Sequence, residues 1–373
     1  MRLVISGWTR APVDEYNPGS LSVGSCREQS RKGLRGGIDV NASAVFSPKV
    51  LEIDPSNLAN EIERGIREIV LGRFRRKGAV VALSGGIDSS VTAALCALAL
   101  GKDHVLGVLM PEYESSEESL RFANLFAEAI GIPSLVENIG PALEAVGCYH
   151  RRDEAIRKVI PEYGAGWKSK IVLPNLVEGS YYQIFSVVAQ SPTGEVRRAR
   201  LTPDAYLGIV AATNFKQRTR KMLEYYHADR LWYAVAGTPN RLEYALGFFV
   251  KNGDGSADFK PIAHLYKTQV YQLGKFLGVP EEILRRPPTT DTYSLEQSQE
   301  EFYFSLPLDK LDLCLYGKNN GVSAEEIGSV VGLTADQVKR VFTTIDSKLR
   351  ATVYLQSPPQ LIQPVDETRG PGH

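Results

Sequence analysis

The sequence predicts an α/β fold: a doubly wound parallel sheet with an inserted β-hairpin region and C-terminal helices. Three observations support this class. Short apolar, β-branched runs alternate with helix-like patterns along most of the chain, and a glycine-rich turn follows the first of these runs. The alternation is broken once, from about residue 140 to 212. Strands that alternate with helices at this spacing are typical of a parallel sheet with helices on both faces.

The composition excludes several classes of protein. The 373 residues contain 43 Lys+Arg and 43 Asp+Glu, and a net charge of zero gives no support to a nucleic-acid or membrane-surface partner. The cysteines Cys26, Cys96, Cys148 and Cys314 form no CxxC pair, so we expect neither structural zinc nor a redox dithiol. The sequence contains neither a membrane-spanning run nor a signal-peptide pattern. We therefore expect a cytoplasmic protein.

The chain divides into three parts. Residues 1–53 are rich in Gly, Ser, Arg and Pro and show little periodicity, which predicts a flexible N-terminal extension. Residues 54–356 carry the alternating pattern and are predicted to form the folded domain. The Pro-rich residues 357–373 are predicted to form a mobile tail.

The domain begins with a helix and a strand. Asp54 or Ser56 can cap the helix, and Gly78 ends it. Its apolar stripe consists of Leu58, Ile62, Ile66, Ile69 and Val70. Residues 79–83 are then predicted to form a buried strand.

The pattern repeats twice after this strand. Residues 91–100 predict a small apolar helix, and residues 104–111 a second buried strand. A Ser/Glu-rich loop leads into a helix over about 119–130, and a third strand is predicted over 133–139. Three strands separated by helices favour parallel pairing.

The interruption contains a turn signal of its own. Ser191, Pro192, Thr193 and Gly194 separate two strand-like runs, which predicts a β-hairpin. Thr202-Pro203-Asp204 then starts a helix. The α/β pattern resumes with a strand over 231–237 and an amphipathic helix that Gly278 ends.

The turn after the first strand reads "SGGIDSS", residues 84–90. A glycine-rich turn between a buried strand and a helix exposes backbone N–H groups beside the positive end of the helix dipole, which suits phosphate. The hydroxyls of Ser84, Ser89 and Ser90 add donors. Asp88 cannot favour phosphate directly, so it is predicted to hold Mg²⁺ that bridges to the phosphates. Neither the dinucleotide fingerprint GxGxxG nor GxxxxGK[ST] fits these residues.

This motif resembles the pyrophosphate loop of the ATP pyrophosphatase superfamily, the adenine nucleotide α-hydrolase-like folds. Further stretches are similar to the NAD synthetase family in particular: "MPEYESSEES" from residue 110, "NFKQRTRK" from residue 214 and "KNGDGSADFKPIAHLYK" from residue 251. "PPTTD", residues 287–291, matches the threonine segment that follows in the family. The resemblance covers roughly residues 55 to 350 apart from the insertion, so residues 54–356 are expected to form an NAD synthetase-like domain.

The resemblance implies a set of site residues. Asp88 and Lys267 are the implied catalytic residues, and Asp88 and Glu243 the implied magnesium ligands. The implied ATP-binding residues are Ser84, Gly85, Gly86, Ile87, Asp88, Ser89, Ser90, Thr238, Lys267 and Thr289. The implied binding residues for deamido-NAD are Arg218, Lys251 and Asp258.

The resemblance also implies a reaction, substrates and partners. The carboxylate of deamido-NAD would attack the α-phosphate of ATP, and ammonia would convert the acyl-adenylate to the amide, releasing AMP. A homodimer is expected by the same resemblance. Too few residues precede the loop for a glutaminase domain, so the sequence predicts free ammonia or a separate glutaminase as the nitrogen source.

Two alternatives stay open at this stage. Asn252, Pro239 and Arg241 depart from the family pattern, so an amide ligase that adenylates a different carboxylate is the second interpretation. Residues 323–345 resemble a helix-turn-helix around Gly332, which would indicate DNA binding. The neutral charge and the similar helices of NAD synthetases favour a packing role for this segment instead.

Overall fold

The structure is a computed structural model. It describes residues 46–173, 185–289, 293–295, 297–299, 303–304 and 306–363. The predictions for residues 1–45 and 364–373 concern residues outside this part of the chain.

The elements of the described residues follow the predicted alternation. The strands are β1 (Ala79–Ala82), β2 (Val105–Leu109), β3 (Ser134–Val136), β4 (Lys168–Val172), β5 (Ser186–Gln190), β6 (Val196–Arg200) and β7 (Ala234–Ala236). The first helices are α1 (Pro55–Arg67), α2 (Ile87–Leu100), α3 (Glu117–Ile130), α4 (Gly140–Ala145), α5 (Cys148–Arg157) and α6 (Pro203–Leu231). The others are α7 (Arg241–Leu246), α8 (Lys267–Phe276), α9 (Glu281–Arg285), α10 (Leu308–Asn319), α11 (Ala324–Val331) and α12 (Ala335–Gln356).

Four strands form the predicted parallel sheet, in the order β3-β2-β1-β7. In its centre Val80 lies between Leu106 on β2 and Val235 on β7. The chain passes from β1 outward to β2 and β3, and then returns to β7 on the other side of β1. The direction of winding therefore reverses between β1 and β7, and ligands of open α/β sheets bind at the carboxyl ends of the strands at such a point.

Both faces of the sheet are covered, because alternate residues of a strand point to opposite faces. Ala79 and Val81 of β1 belong to a core that includes residues of α1, α2, α3 and α8. Val80, between them, belongs to a second core with residues of α4 and α6. Since β1 is buried on both faces, it reads as an uninterrupted apolar run, as expected of a central parallel strand.

The interruption of the alternation forms a small antiparallel sheet of its own, in the order β4-β5-β6. The predicted hairpin is confirmed: β5 and β6 pair with Gln190 opposite Val196. The prediction missed β4, whose polar residues Lys168, Ser169 and Lys170 give it no clear strand pattern. Ser169 is fixed by the Ser294 hydroxyl, which accepts a 2.8 Å hydrogen bond from its backbone N–H.

A buried ionic cluster joins this region to the sheet. The Lys216 ammonium, on α6, lies 2.9 Å from Glu112 Oε1 and 2.7 Å from Glu114 Oε2. Arg152, on α5, pairs with Glu114 and with Asp153, and the Tyr149 hydroxyl donates to Glu112 over 2.7 Å. Burial would raise the pKa of Glu114, but the two cations outweigh it and lower that pKa. The cluster thus fixes the loop after β2 against α5 and α6.

The C-terminal helices form a third packed region. Leu311 and Leu315 of α10, Ile327 of α11 and Val341 of α12 share one core. Phe46 and Leu51 are buried in the same core, although they lie in the segment predicted to be a flexible extension. Leu242 and Leu246 of α7 belong to it as well. The helices around Gly332 therefore pack against the rest of the C-terminal region, as expected. In the described residues no helix is long and apolar enough to cross a membrane.

We predict that Arg152→Met destabilises the protein by about 3 kcal/mol, because removal of one partner leaves buried charge without compensation. The neighbouring Arg151 is exposed, so Arg151→Met serves as the control and is expected to stay within about 0.5 kcal/mol of wild type. Urea unfolding followed by circular dichroism measures both values. Equal stability of the two variants would contradict a structural role for the cluster.

A second prediction concerns Lys348, on α12. Its ammonium donates to the Tyr303 carbonyl and lies 3.3 Å from the centre of the Tyr303 ring, and burial lowers its pKa to about 7. The unfolded chain therefore binds more protons than the folded protein above pH 7, so stability rises with pH there, by up to about 1.4 kcal/mol per pH unit for this one group.

Lys348→Met should flatten the rise in stability between pH 7 and 9, measured as urea midpoints across that range. Lys339→Met, at an exposed position on the same helix, is the control and should keep the wild-type slope. A wild-type slope in Lys348→Met would show that Lys348 stays protonated in the folded protein.

Candidate active site

The turn that follows β1 is held by its own hydroxyls. The Ser84 hydroxyl accepts a 3.3 Å hydrogen bond from the Gly86 N–H and lies 3.2 Å from the Ser89 hydroxyl. The Gly86 carbonyl accepts hydrogen bonds from the hydroxyls of Ser89 and Ser90. These bonds close the turn onto the start of α2, so the first N–H groups of the helix face the same side as Ser84.

Gly85 makes this turn possible. Its φ is +75°, in the left-handed region that glycine adopts without strain. A Cβ at this position would overlap the backbone oxygen of Ser119, at the start of α3. Only glycine therefore allows the turn and α3 to approach each other this closely.

A buried cluster lies beside the turn. The Lys267 ammonium pairs with Asp88 Oδ2, and the Asn240 amide donates to Asp88 Oδ1 over 3.1 Å. Asn240 also caps α7: its side chain accepts from the Glu243 N–H, while Glu243 Oε2 accepts from the Asn240 N–H over 3.1 Å. The Gln299 amide donates to Glu243 Oε1 over 3.1 Å. One asparagine thus connects the two carboxylates that the sequence singled out.

The electrostatics of this cluster favour a cation. Burial and, to a lesser extent, the negative charge of Asp88 together raise the pKa of Glu243 to about 8. Burial opposes protonation of Lys267, but Asp88 and Glu243 outweigh it and raise its pKa. The two carboxylates are close enough to oppose each other's ionisation, and one lysine lies beside them. Such a cluster is a suitable environment for a further positive charge.

Asp312, on α10, positions Lys267 through its backbone. Asp312 Oδ1 accepts from the Lys267 N–H over 3.3 Å, and Oδ2 accepts from the Thr268 N–H and hydroxyl at 2.8 Å each. Burial raises the pKa of Asp312 to about 6. A carboxylate at the N-terminus of a helix satisfies the free N–H groups and the helix dipole. Asp312 therefore fixes the start of α8, where Lys267 lies.

These groups open onto a cavity of about 400 Å³ at the carboxyl ends of β1, β2 and β7. It lies where the winding of the sheet reverses. The predicted site residues that line it are Ser84, Gly86, Ile87, Asp88, Ser89, Thr238, Glu243, Lys267 and Thr289. The structure thus brings together residues that are up to about 200 positions apart in the sequence.

Two of the predicted ATP-binding residues, Gly85 and Ser90, do not line the cavity. Gly85 is not among the lining residues and packs against α3. Ser90 is buried and uses its hydroxyl on the Gly86 carbonyl. Their roles follow from the shape of the turn in the structure, and direct binding stays a prediction.

The three residues predicted to bind deamido-NAD do not line the cavity in this structure. Arg218 Nε donates to the Lys251 carbonyl over 3.3 Å, and the Lys251 ammonium donates to the carbonyls of Tyr354 and Ser357. Asp258 accepts a 2.7 Å hydrogen bond from the Val235 N–H. In this conformation they connect α6, α12 and β7, and their binding role stays a prediction.

The opposite wall of the cavity is one face of α6. Residues three or four apart on a helix share a face, and the lining residues of α6 follow that spacing: Tyr206, Val210, Thr213, Asn214, Gln217, Arg220, Lys221 and Glu224. Lys221 and Glu224 are buried and paired at 2.6 Å. Most of this wall was not predicted, because a face that combines polar and apolar residues shows no simple periodicity.

Asn240 and Asp312 were missed as well. Asn240 had a recognisable signal, since Asn with Glu three residues later is a capping-box pattern. Asp312 had none, because it acts on a helix 45 residues earlier in the chain. The cysteines Cys96, Cys148 and Cys314 are buried, and burial raises the pKa of each thiol, which disfavours the thiolate form.

Comparison with known proteins identifies the family. The family model of NAD synthase matches residues 58–160 and 186–350, which is well over half of the chain. The two matched stretches contain the turn, Asp88, Glu243, Lys267 and Asp312. Residues 161–185, which include β4, lie between them and outside the match.

Curated relatives agree with this match. The chain is 59% identical to an NH(3)-dependent NAD(+) synthetase of Rhizobium meliloti over 87% of its own length and 96% of the relative. It is 36% identical to an NH(3)-dependent NAD(+) synthetase of Thermotoga maritima, over 68% and 85% of the two chains.

Solved structures share the fold. An NH3-dependent NAD synthetase from Campylobacter jejuni superposes with a TM-score of 0.55 at 20% identity, over 84% of this chain and all of that one. An NMN synthetase from Francisella tularensis gives 0.54 at 20% identity, over 83% and 99%.

The sheet and the turn give the chain an α/β fold, and the family match and the curated relatives place it in the class of ATP-dependent ligases. The family match and the identity to the curated relatives are more specific: the chain belongs to the NAD synthase family.

Proposed function

We propose that this chain is an ammonia-dependent NAD synthetase: it converts deamido-NAD to NAD and consumes ATP, with AMP and pyrophosphate as products. The 59% identity to a relative of that name over most of both chains carries the proposal, and the cavity of about 400 Å³ beside the Asp88–Lys267 pair supports it.

The turn after β1 is suited to the phosphates of ATP. Ser84 and Ser89 line the cavity together with the Gly86 backbone at the positive end of α2, and such a helix start stabilises phosphate. Lys267 adds a fixed positive charge on the same side. Attack on the α-phosphorus would then proceed with the β- and γ-phosphates held as the leaving group, because this end of the cavity offers donors where charge develops.

The residues present also fit a magnesium ion. Asp88 and Glu243 are two carboxylates held by a shared asparagine, and Mg²⁺ is commonly bound by one or two carboxylates together with substrate phosphates. No group of three or more His, Cys, Asp or Glu side chains that could hold a metal occurs in the described residues, so the phosphates would supply the other ligands. Bound there, the ion would neutralise charge on the departing pyrophosphate.

The chemistry then needs no protein nucleophile. The carboxylate oxygen of deamido-NAD forms a bond to the α-phosphorus as the bond to pyrophosphate breaks. Ammonia attacks the acyl carbon of the resulting adenylate, loses a proton, and AMP departs. The side chains hold the reactants in place and stabilise charge, which together account for large rate enhancements in such reactions.

The finer assignments belong to the same proposal. Free ammonia is the nitrogen source, with a separate glutaminase as the alternative supplier. The protein acts as a homodimer. Arg218, Lys251 and Asp258 are proposed to contact deamido-NAD after their present bonds within the protein rearrange. Arg218 lies on α6 and donates to the Lys251 carbonyl, and Asp258 accepts from Tyr225 of the same helix.

Asp88→Asn is predicted to lower turnover at least about a hundredfold, because it removes a negative charge from the proposed metal site and from the Lys267 pair. Asp103→Asn, at an exposed position near the opposite end of the sheet, is the control and should keep wild-type turnover. The measurement is pyrophosphate release under saturating ATP, Mg²⁺, ammonium and deamido-NAD. Near-normal turnover of Asp88→Asn would refute the assigned role.

The identity of the acid is tested by pyrophosphate release with ATP, Mg²⁺ and ammonium, with and without deamido-NAD. We expect strong stimulation by deamido-NAD and the appearance of NAD. Nicotinate mononucleotide is the matched comparison, since it carries the same carboxylate on half of the dinucleotide. Stimulation by the mononucleotide alone, in enzyme that binds ATP, would favour the ligase with a different acid.

A further inference from the structure

Arg286 is a buried cation that contacts the turn. It follows α9, and its side chain is only 10% exposed. One terminal nitrogen donates to the Gly85 carbonyl over 3.3 Å, and the other donates to the Ser119 hydroxyl over 2.8 Å. The arginine therefore connects the two segments that Gly85 allows to approach each other.

The hydrogen bond to the Gly85 carbonyl fixes a peptide plane. In a trans peptide the carbonyl and the following N–H point in opposite directions. With the Gly85 carbonyl directed at Arg286, the Gly86 N–H is directed to the other side, where it donates to the Ser84 hydroxyl. Ser84 and Gly86 both line the cavity and Gly85 does not.

The Arg286 guanidinium also has a hydrogen-bond donor that is not in use. Its Nε is buried and has no hydrogen-bond partner among the described residues; a carboxylate oxygen of the exposed Glu118 lies 4.0 Å away. Arg286 itself lines the cavity. By contrast, the charge of Lys267 is offset by its direct pair with Asp88. Arg286 thus adds positive charge to the turn, which its long contact with the exposed Glu118 offsets only partly.

We propose that Arg286 is a positioning residue for the pyrophosphate part of ATP: it orients the Gly85–Gly86 peptide so that the amide faces the phosphates, and its charge stabilises them. The proposal rests on the proposed ATP-dependent function and assigns this residue a part in it. Because an arginine can bridge the carbonyl and the hydroxyl at once, a single-point lysine cannot fully replace it.

The test measures binding of magnesium pyrophosphate, ATP and AMP by calorimetry to wild type, Arg286→Gln and Arg286→Lys. Arg286→Gln should weaken pyrophosphate and ATP about tenfold or more, since charge-assisted contacts are lost, and should leave AMP within about twofold. Arg286→Lys should lie between wild type and the glutamine variant. Arg285→Gln is the matched control: the adjacent side chain is 78% exposed and pairs with Glu281, and all three affinities should stay unchanged.

Wild-type pyrophosphate affinity in Arg286→Gln would overturn the proposal. An equal loss of affinity for AMP and pyrophosphate would also overturn the proposal, because it would indicate a general structural defect. A positioning role predicts a loss for pyrophosphate and ATP only. If Arg286→Gln does not fold, the test rests on Arg286→Lys. Wild-type affinity of Arg286→Lys for pyrophosphate would then refute the positioning role. The assay contains neither deamido-NAD nor ammonia, so failure of deamido-NAD to stimulate pyrophosphate release would overturn only the identity of the acid.

Discussion

The site depends on the buried pair between Lys267 and Asp88. Each partner begins a helix, α8 and α2, and the two helices belong to different parts of the chain. A buried charge without its partner is costly, so the pair forms only when both helix starts are correctly placed. Asn240 and Asp312 supply that placement, one by binding Asp88 and capping α7, the other by fixing the start of α8. The geometry of the Lys267–Asp88 pair therefore depends on groups that cap helices.

Three parts of the structure build the cavity and fix this pair. The parallel sheet provides the turn and Asp88, the C-terminal helices provide Asp312, and α6 provides the far wall of the cavity. The loop after β2 also lines the cavity, through Met110, Pro111, Ser115 and Ser116, and the ionic cluster around Lys216 holds the adjacent glutamates of that loop. Charges far from the reacting atoms thus determine the shape of the cavity.

Much of the fold and part of the candidate site could be predicted from the sequence, for identifiable reasons. Fully buried parallel strands are apolar throughout, and the turn after β1 combines residue types that few other structures need, so the sheet and Asp88 were predictable. The strand β4 was not, because its alternation is hidden by lysines. Asp312 was not either, because a cap supplied from a distant helix leaves no local pattern. Arg218, Lys251 and Asp258 were assigned by resemblance alone, and in this structure their contacts lie within the protein, outside the cavity lining.

The position of Asp312 has a consequence for how the enzyme matures. The turn, Asp88 and the strands β1 and β2 are encoded in the first third of the chain, whereas the group that fixes Lys267 is encoded 45 residues after that lysine. During synthesis the strands of the parallel sheet can therefore form while Lys267 is still unrestrained. Lys267 would be fixed only when α10 emerges and docks, so a chain shortened before α10 would retain the four strands without a fixed start of α8.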